Sequence, residues 1–295
     1  MLMLSLDPTQ LAIPDLHQYL IGAVAPRPIA FVSSVSPQGI ANLAPYSFFN
    51  VFGSNPPLAI FSSNRRVRDN STKDTFLNVE ATQEVVINVV SYAMVQQMSL
   101  ASVEYPSEVS EFDKSGFTAL KSDLVSPFRV QESPVQFECK VDRIIPTGEE
   151  GGAANLILCR ILRIHVDEQV LDENGRIDPH KIDLVGRMGR AYYCRASGNA
   201  VWPLLRPVKV IGIGFDQLPG YIRESSVLRG NDLAQLAAFE SIPIFKEEIL
   251  ADELLINIRA GNQQDQSRQV HQYAQDLIGK GELEKAWQIL LSEIQ

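Results

Sequence analysis

The sequence predicts a mainly β fold, with about six antiparallel strands closed as a barrel over residues 1–205 and a mostly helical extension over residues 206–295. Three observations carry this prediction. Apolar runs in the first two hundred residues are short, several alternate with polar residues, and Gly, Pro, Asn or Ser bounds them, as in one-sided strands joined by turns. No GxGxxG follows a strand and no P-loop occurs, so the parallel nucleotide-binding folds are poorly supported and a closed antiparallel sheet is favoured. Beyond Trp202-Pro203 the apolar spacing changes from two to three or four, the period of helices.

The elements follow in order. Residues 7–23 read as a short helix or turn, with Asp15 as N-cap ahead of Leu16, Tyr19 and Leu20. Residues 26–50 organise the rest: IAFV (29–32) is a strand, Pro37-Gln38-Gly39 a turn, and IANLA (40–44) a second strand before Pro45. Ser33, Ser34, Asn42, Tyr46 and Ser47 gather at the strand ends, where backbone N–H groups are also free, which makes this block the floor of a binding site. After Pro56-Pro57, LAIF (58–61) is another strand. Residues 73–83 begin a helix capped by Ser71 or Thr72, with Asp74 in its first turn. VVINVV (85–90) reads as a strand covered on both faces, and Met94, Val95 and Met98 as helical core. Residues 104–120 form a polar loop long enough to be a lid or a dimer contact. Val135, Phe137, Cys139 and Val141 mark a strand with one buried face, and Leu156, Leu158, Ile161 and Ile164 mark the next. The turn DENGR (172–176) leads to a closing segment, DLVGRMGRAYYCR.

In the extension, residues 209–215 suggest one more strand. Gly230-Asn231-Asp232 caps a helix, residues 245–261 form a second with Ile249, Leu250, Leu254 and Leu255 on its apolar face, and two more follow from about Gln264. Trp287, Leu290, Leu291 and Ile294 share one side of the last. These helices either pack over the barrel or its partner, or offer a docking surface to an acceptor protein.

Bulk properties restrict the function. With 295 residues, 45% of them hydrophobic and 21% charged, the chain can bury a full core. A net charge of -9 supplies no general field for nucleic acid or anionic membranes. No apolar stretch spans a bilayer and MLMLSLDPTQ lacks a signal-peptide pattern, so a soluble, cytoplasmic protein is expected. Cys139, Cys159 and Cys194 form no CxxC pair and read as buried, reduced thiols; His17 reads as surface and His165 as structural. Against the acidic background, Arg65, Arg66, Arg68 and Lys73 crowd into nine residues directly after a strand. They are interleaved with Asn70, Ser71, Thr72, Asp74 and Thr75, so cations and hydroxyls combine as a phosphate monoester requires.

Four blocks, PRPIAFVSSVSPQGIANLAPYSFFN, SSNRRVRDNSTKDT, SEFDKSGF followed by ESPVQFEC, and GRMGRAYY, give the chain its resemblance to the flavin reductase-like proteins with an FMN-binding split barrel, over about residues 12–200. The resemblance implies an antiparallel split barrel with flanking helices, noncovalent FMN near the interface of a homodimer, and NADH or NADPH as reductant. It implies that Arg27, Ser33, Ser34, Asn42, Ala44, Pro45, Tyr46 and Ser47 cradle the ring and ribityl chain. It places the phosphate at Ser62, Ser63, Arg65, Arg68, Lys73, Asp74 and Thr75, without deciding which of the three arginines points inward. Arg187 and Tyr192 are further implied contacts, and Arg190 stands where the family commonly has a second glycine. The expected activity is NAD(P)H-dependent FMN reduction, with reduced flavin passed to a monooxygenase or another acceptor and with orientation and water exclusion as the protein's share. No general acid or base is required, and Ser33, Ser34 and Ser47 have no histidine placed by spacing to make them nucleophiles. A flavoredoxin-like electron carrier and a barrel that binds flavin without redox turnover are the alternatives.

Overall fold

Two strands adjacent in sequence form the opposite edges of the main sheet, and that arrangement defines the fold. In a computed structural model, which describes residues 2–204 and 211–294, the chain divides into two compact units, Met1–Trp202 and Pro203–Gln295. In the first, helix α1 (Ile13–Ala23) precedes β1 (Ala30–Val35), β2 (Ala41–Tyr46), β3 (Phe49–Ser54) and β4 (Pro57–Ser62). Next come α2 (Asp74–Thr82), β5 (Glu84–Val89), α3 (Val95–Leu100) and α4 (Glu111–Ser115). The hairpin of β6 (Ala119–Leu120) and β7 (Arg129–Val130) leads to the long pair β8 (Val135–Pro146) and β9 (Asn155–Val166), then to β10 (Val185–Arg187) and β11 (Tyr193–Arg195).

The seven-stranded sheet has the order β2-β1-β5-β8-β9-β4-β3, antiparallel throughout. Only Ser47 and Phe48 separate β2 from β3 in the chain, yet no ladder joins those edges among the described residues, so the barrel is split at that seam. The expected six strands become seven in this sheet. The additional strand β3 was hidden because Asn50, Val51 and Phe52 are all exposed and show no alternation. Phe61, Val85, Ile87, Ile157 and Cys159 fill one core, while Phe31, Leu43, Met94 and Met98 fill another on the opposite face of β1.

Local expectations change in several places. Ala12, not Asp15, holds the cap position of α1, and Lys73, not Ser71 or Thr72, holds that of α2; neither makes a side-chain capping bond. The 104–120 segment contains α4 and β6 instead of being all loop. On β9 the inward residues are Ile157, Cys159 and Ile161, whereas Leu156 and Leu158 are half-buried and Ile164 is exposed. Leu156 and Leu158 fall on the parity opposite to Ile157, Cys159 and Ile161, and beyond these a bulge intervenes: Cys139 pairs with Ile161 and Glu138 with Arg163, so Leu162 is skipped.

The second unit contains α5 (Gly220–Arg223), α6 (Gly230–Ala237), α7 (Glu253–Ala260), α8 (Gln266–Gly279) and α9 (Leu283–Leu291) around fully buried Trp287, Leu236, Leu255 and Ile289. Arg229 holds the cap position of α6, and Asp232 closes the turn by accepting from the Arg229 N–H at 2.8 Å. The helix expected over 245–261 is divided: Glu247–Ala251 is a 3-10 turn and Asp252 caps α7 through the Leu254 and Leu255 N–H groups. Leu255 and Ile258 are buried there, while Leu254 and Leu250 are exposed. Of the strand expected over 209–215, residues 209 and 210 lie outside the described residues, Ile211–Ile213 is irregular and Phe215 opens a 3-10 turn. The side chain of Ile294 also lies outside them. None of the described helices is long and apolar enough to cross a membrane.

Candidate functional site

Alternation along β1 sends its two serines to opposite faces. Ser33 donates to the Phe128 carbonyl, away from the basic loop. Ser34 faces β2 and α2, where its Oγ meets Asn42 Nδ2 and Asn78 Nδ2, each at 3.1 Å. Asn42 Nδ2 also donates to Thr75 Oγ1 at 2.8 Å. This buried polar cluster ties the β1–β2 block to the start of α2, so two blocks remote in sequence share one wall.

That wall continues into a pocket of about 90 Å³ lined by Ala44, Pro45, Tyr46, Arg66, Lys73 and Thr75. Lys73 Nζ lies 5.0 Å from the centre of the Tyr46 ring; burial pushes its pKa down, and the Arg66 charge adds to this. Arg66 is the inward arginine. Its Nη1 donates to Ser71 Oγ at 3.0 Å and to the Thr72 carbonyl at 2.6 Å, and its Nε pairs with Glu104 at 2.9 Å. Arg65 turns back on its own loop to Asn70 Oδ1 at 2.6 Å, and Arg68 is exposed, bonding Asp69 and Glu104. Neither lines the pocket, in contrast to the assignment implied by the resemblance.

Two hydroxyls in this region lack partners. Tyr46 Oη and Ser63 Oγ are buried and make no hydrogen bond among the described residues. Burial pushes the Tyr46 phenol up, opposed by the nearby Thr75 and Ser63 hydroxyls, which lie outside bonding geometry. Ser62 is committed to Asn64 Oδ1 at 2.6 Å. Asp74 lies on the pocket rim, where it accepts from Ser107 Oγ at 3.2 Å; a carboxylate there repels a phosphate, so its placement suits the first turn of α2.

The remaining predicted residues sit at the β2–β3 seam. Buried Arg27 donates to the carbonyls of Ile21, Val24 and Met188 at 2.6, 2.8 and 3.1 Å, and its Nε lies 3.5 Å from Ser47 Oγ. Its guanidinium also lies 5.9 Å from the centre of the Phe48 ring. It therefore clamps α1 to β10. Arg187 stacks on Tyr193 at 4.6 Å, and Tyr192 is exposed beside a wide cleft that also takes in Tyr19 and Gly22.

Arg66 settles the choice left open among the three arginines, and two residues emerge that sequence reasoning did not single out, Glu104 and Glu111, both on the pocket wall. Glu111 is buried, accepts from the Leu43 N–H at 2.9 Å, and has its carboxyl pushed up by burial and by Asp74. Only the SEFDKSGF block marks it in the sequence. His165 bonds fully buried Glu138 at 2.6 Å, consistent with its structural reading. Asp123 completes a trio that could hold a metal, but Arg163 lies 2.6 Å from Asp123 and Arg129 4.0 Å from Glu138, which neutralises the carboxylates.

Comparison with known proteins gives a family match described as "Flavin reductase like domain" over residues 22–185. An uncharacterized protein of Aquifex aeolicus is 40% identical over 184 residues, 62% of this chain and 91% of its own. Among solved structures, nitrilotriacetate monooxygenase component B from Bacillus cereus superposes with a TM-score of 0.64 at 30% identity, covering 70% of this chain and 99% of that one. The 2-nitrobenzoate 2-nitroreductase NbaA of Pseudomonas fluorescens gives 0.63 at 27% identity, covering 72% and 100%. With more than half its length matched and a split antiparallel barrel as its first unit, the chain belongs to the flavin reductase-like family.

Proposed function

We propose that the protein is an NAD(P)H-dependent FMN reductase that passes reduced flavin to an acceptor such as a monooxygenase. The observation that carries this reading is the pocket beside β2: Arg66 and Lys73 supply charge, and the buried hydroxyl of Tyr46, unpartnered among the described residues, supplies a donor. This set fits a phosphate monoester, because a buried hydroxyl without a partner costs stability unless a ligand satisfies it.

The flavin, when bound, supplies the hydride-accepting chemistry, and nicotinamide is its reductant. Arg66 and Lys73 hold the phosphate end, and Thr75 is kept in place by Asn42. Ala44 and Pro45 give an apolar wall on edge strand β2, whose Leu43 N–H is taken by Glu111. The chain's contribution is orientation and exclusion of water. The similarity to a monooxygenase component supports transfer to such an acceptor. A homodimer is part of the proposal, supported by the exposed apolar Val51 and Phe52 on edge strand β3.

The test is the absorption spectrum of the purified protein, before and after anaerobic addition of NADH and of NADPH. Bleaching of the flavin, with catalytic turnover of added FMN, is the expected result. A protein that binds no FMN and does not accelerate NAD(P)H oxidation overturns the proposal; tight FMN retention without turnover makes it an electron carrier instead.

A further inference from the structure

We infer that Glu104 is an internal counter-ion at the mouth of the Arg66–Lys73 pocket, a carboxylate that the ligand's phosphate must displace, so that it selects a phosphate monoester over other flavin forms. The inference rests on the FMN reading and adds to it the residue that sets the choice among flavins.

Glu104 lies 38 residues from Arg66 in sequence, yet its Oε1 is 2.9 Å from Arg66 Nε and its Oε2 is 3.0 Å from Arg68 Nη2. One carboxylate therefore bridges the inward arginine and the exposed one. Both cations hold it below the usual carboxylate range, and at Lys73 it opposes the lowering by burial and Arg66. The neighbouring residues Ala101, Ser102, Val103 and Tyr105 line the same pocket. With the 101–105 segment in place the cavity is about 90 Å³, whereas ligand pockets are typically about 300–1,000 Å³. Only the phosphate end of a flavin has to enter here, and it meets the Glu104 carboxylate already seated on Arg66.

The chemistry of the exchange gives the selectivity. FMN ends in a phosphate monoester that carries close to two charges at neutral pH and has three acceptor oxygens. It can replace a carboxylate on Arg66 with charge to spare. Riboflavin has no phosphate and leaves the Glu104 contact unchallenged. FAD offers only diester phosphates of one charge each, which match a carboxylate without exceeding it.

The experiment measures dissociation constants for FMN, riboflavin and FAD with the full chain and with Glu104→Gln, at two salt concentrations. Exposed ion pairs are weak, so about a three- to tenfold tightening of FMN is expected in Glu104→Gln, largest at low salt. Riboflavin affinity stays within about twofold, the gain for FAD is smaller than for FMN, and the thermal midpoint is unchanged. Glu108→Gln removes the same charge four residues further on, outside the pocket lining and without an ion pair among the described residues, and leaves FMN affinity within about twofold. Unchanged or weaker FMN binding in Glu104→Gln overturns the inference, because Glu104 would then be preparing Arg66 for the ligand. Equal tightening in Glu104→Gln and Glu108→Gln also overturns it, since bulk charge alone would account for the effect. If the unaltered protein binds no flavin, it is the FMN reading that fails.

Discussion

Asn42 Nδ2 donates to Thr75 Oγ1 at 2.8 Å, a side-chain bond across 33 residues that joins β2 to the first turn of α2. The same nitrogen reaches Ser34 Oγ, so one amide holds three elements in register. Both bonds are buried; truncation strands Thr75 Oγ1, while Ser34 Oγ keeps its bond from Asn78 Nδ2. Asn42→Ala should therefore cost about 1–3 kcal/mol, read from urea denaturation of the first unit. On the FMN reading it weakens flavin retention more than turnover at saturating FMN. Unchanged stability and retention would remove Asn42 from the site's framework.

The GRMG segment makes a different prediction. A Cβ on Gly186 would lie 2.7 Å from Pro26 Cβ and 3.1 Å from Cys194 Sγ, so the segment is glycine-bound by packing. Gly186→Ala should destabilise by about 1–3 kcal/mol. Arg190, where a second glycine is common in the family, sits at φ +55°, a left-handed conformation that disfavours a side chain. Arg190→Gly should stabilise by about 0.5–1 kcal/mol after the entropic cost of glycine is deducted. Thermal midpoints moving in opposite directions in the two variants are the expected readout.

These cases show where the sequence was legible. Strand existence could be read because Val85, Ile87, Cys139 and Val141 face a core and alternate or cluster accordingly. Parity could not be read past Leu162, because a bulge leaves no mark in hydropathy. The basic loop stood out through composition alone, as the donor set of the phosphate site proposed above. Its inward arginine was hidden because Asn70 adopts φ +57°, and the loop doubles back so that Arg65 bonds Asn70 while Arg66 faces the pocket. The partners of Asn42 depend on tertiary packing of α2 against the sheet, which no local pattern encodes.

Thiol chemistry tests the core assignment independently. Burial pushes the Cys139 thiol up to about 12 and Cys159 well above its ordinary value, and both side chains are inaccessible. Cys194, expected to be buried like the other two, is half-buried on the short strand β11. At pH 8 a disulfide reagent should modify one thiol in the native protein, mapped to Cys194 by mass spectrometry, and all three in denaturant. Rapid native labelling of Cys139 or Cys159 would contradict the sheet packing.

The second unit has a pH dependence of defined sign. Burial raises the Glu293 carboxyl, but the bonds from His271, at 2.7 Å, and Ser267 outweigh it and leave the group below its ordinary 4.5. A carboxylate with a depressed folded value contributes stability that is present above its unfolded value and lost as pH falls through the folded one. The unfolding midpoint of this unit, followed by fluorescence of fully buried Trp287, should therefore drop below about pH 4.5. His271→Gln should flatten that slope without abolishing it, because Asp252, held low by Lys285 and Tyr273 against its own burial, titrates in the same direction.

Arg66 and Arg68 give the sharpest discrimination of how the pocket works. They are two residues apart, carry the same charge and share Glu104, so long-range electrostatics treats them nearly alike. Local geometry does not: Arg66 lines the pocket and is fixed by Ser71 and the Thr72 carbonyl, whereas Arg68 projects into solvent. A charge-assisted bond to phosphate is worth about 1.5–3 kcal/mol, while an exposed charge contributes well under 1. Arg66→Ala should therefore raise the FMN dissociation constant by about tenfold or more, and Arg68→Ala should change it by less than about threefold. Arg66→Lys should recover part of the loss, since it restores charge without the planar fork. Riboflavin binding should distinguish none of these variants, and equal losses in Arg66→Ala and Arg68→Ala would mean that the phosphate does not enter this pocket.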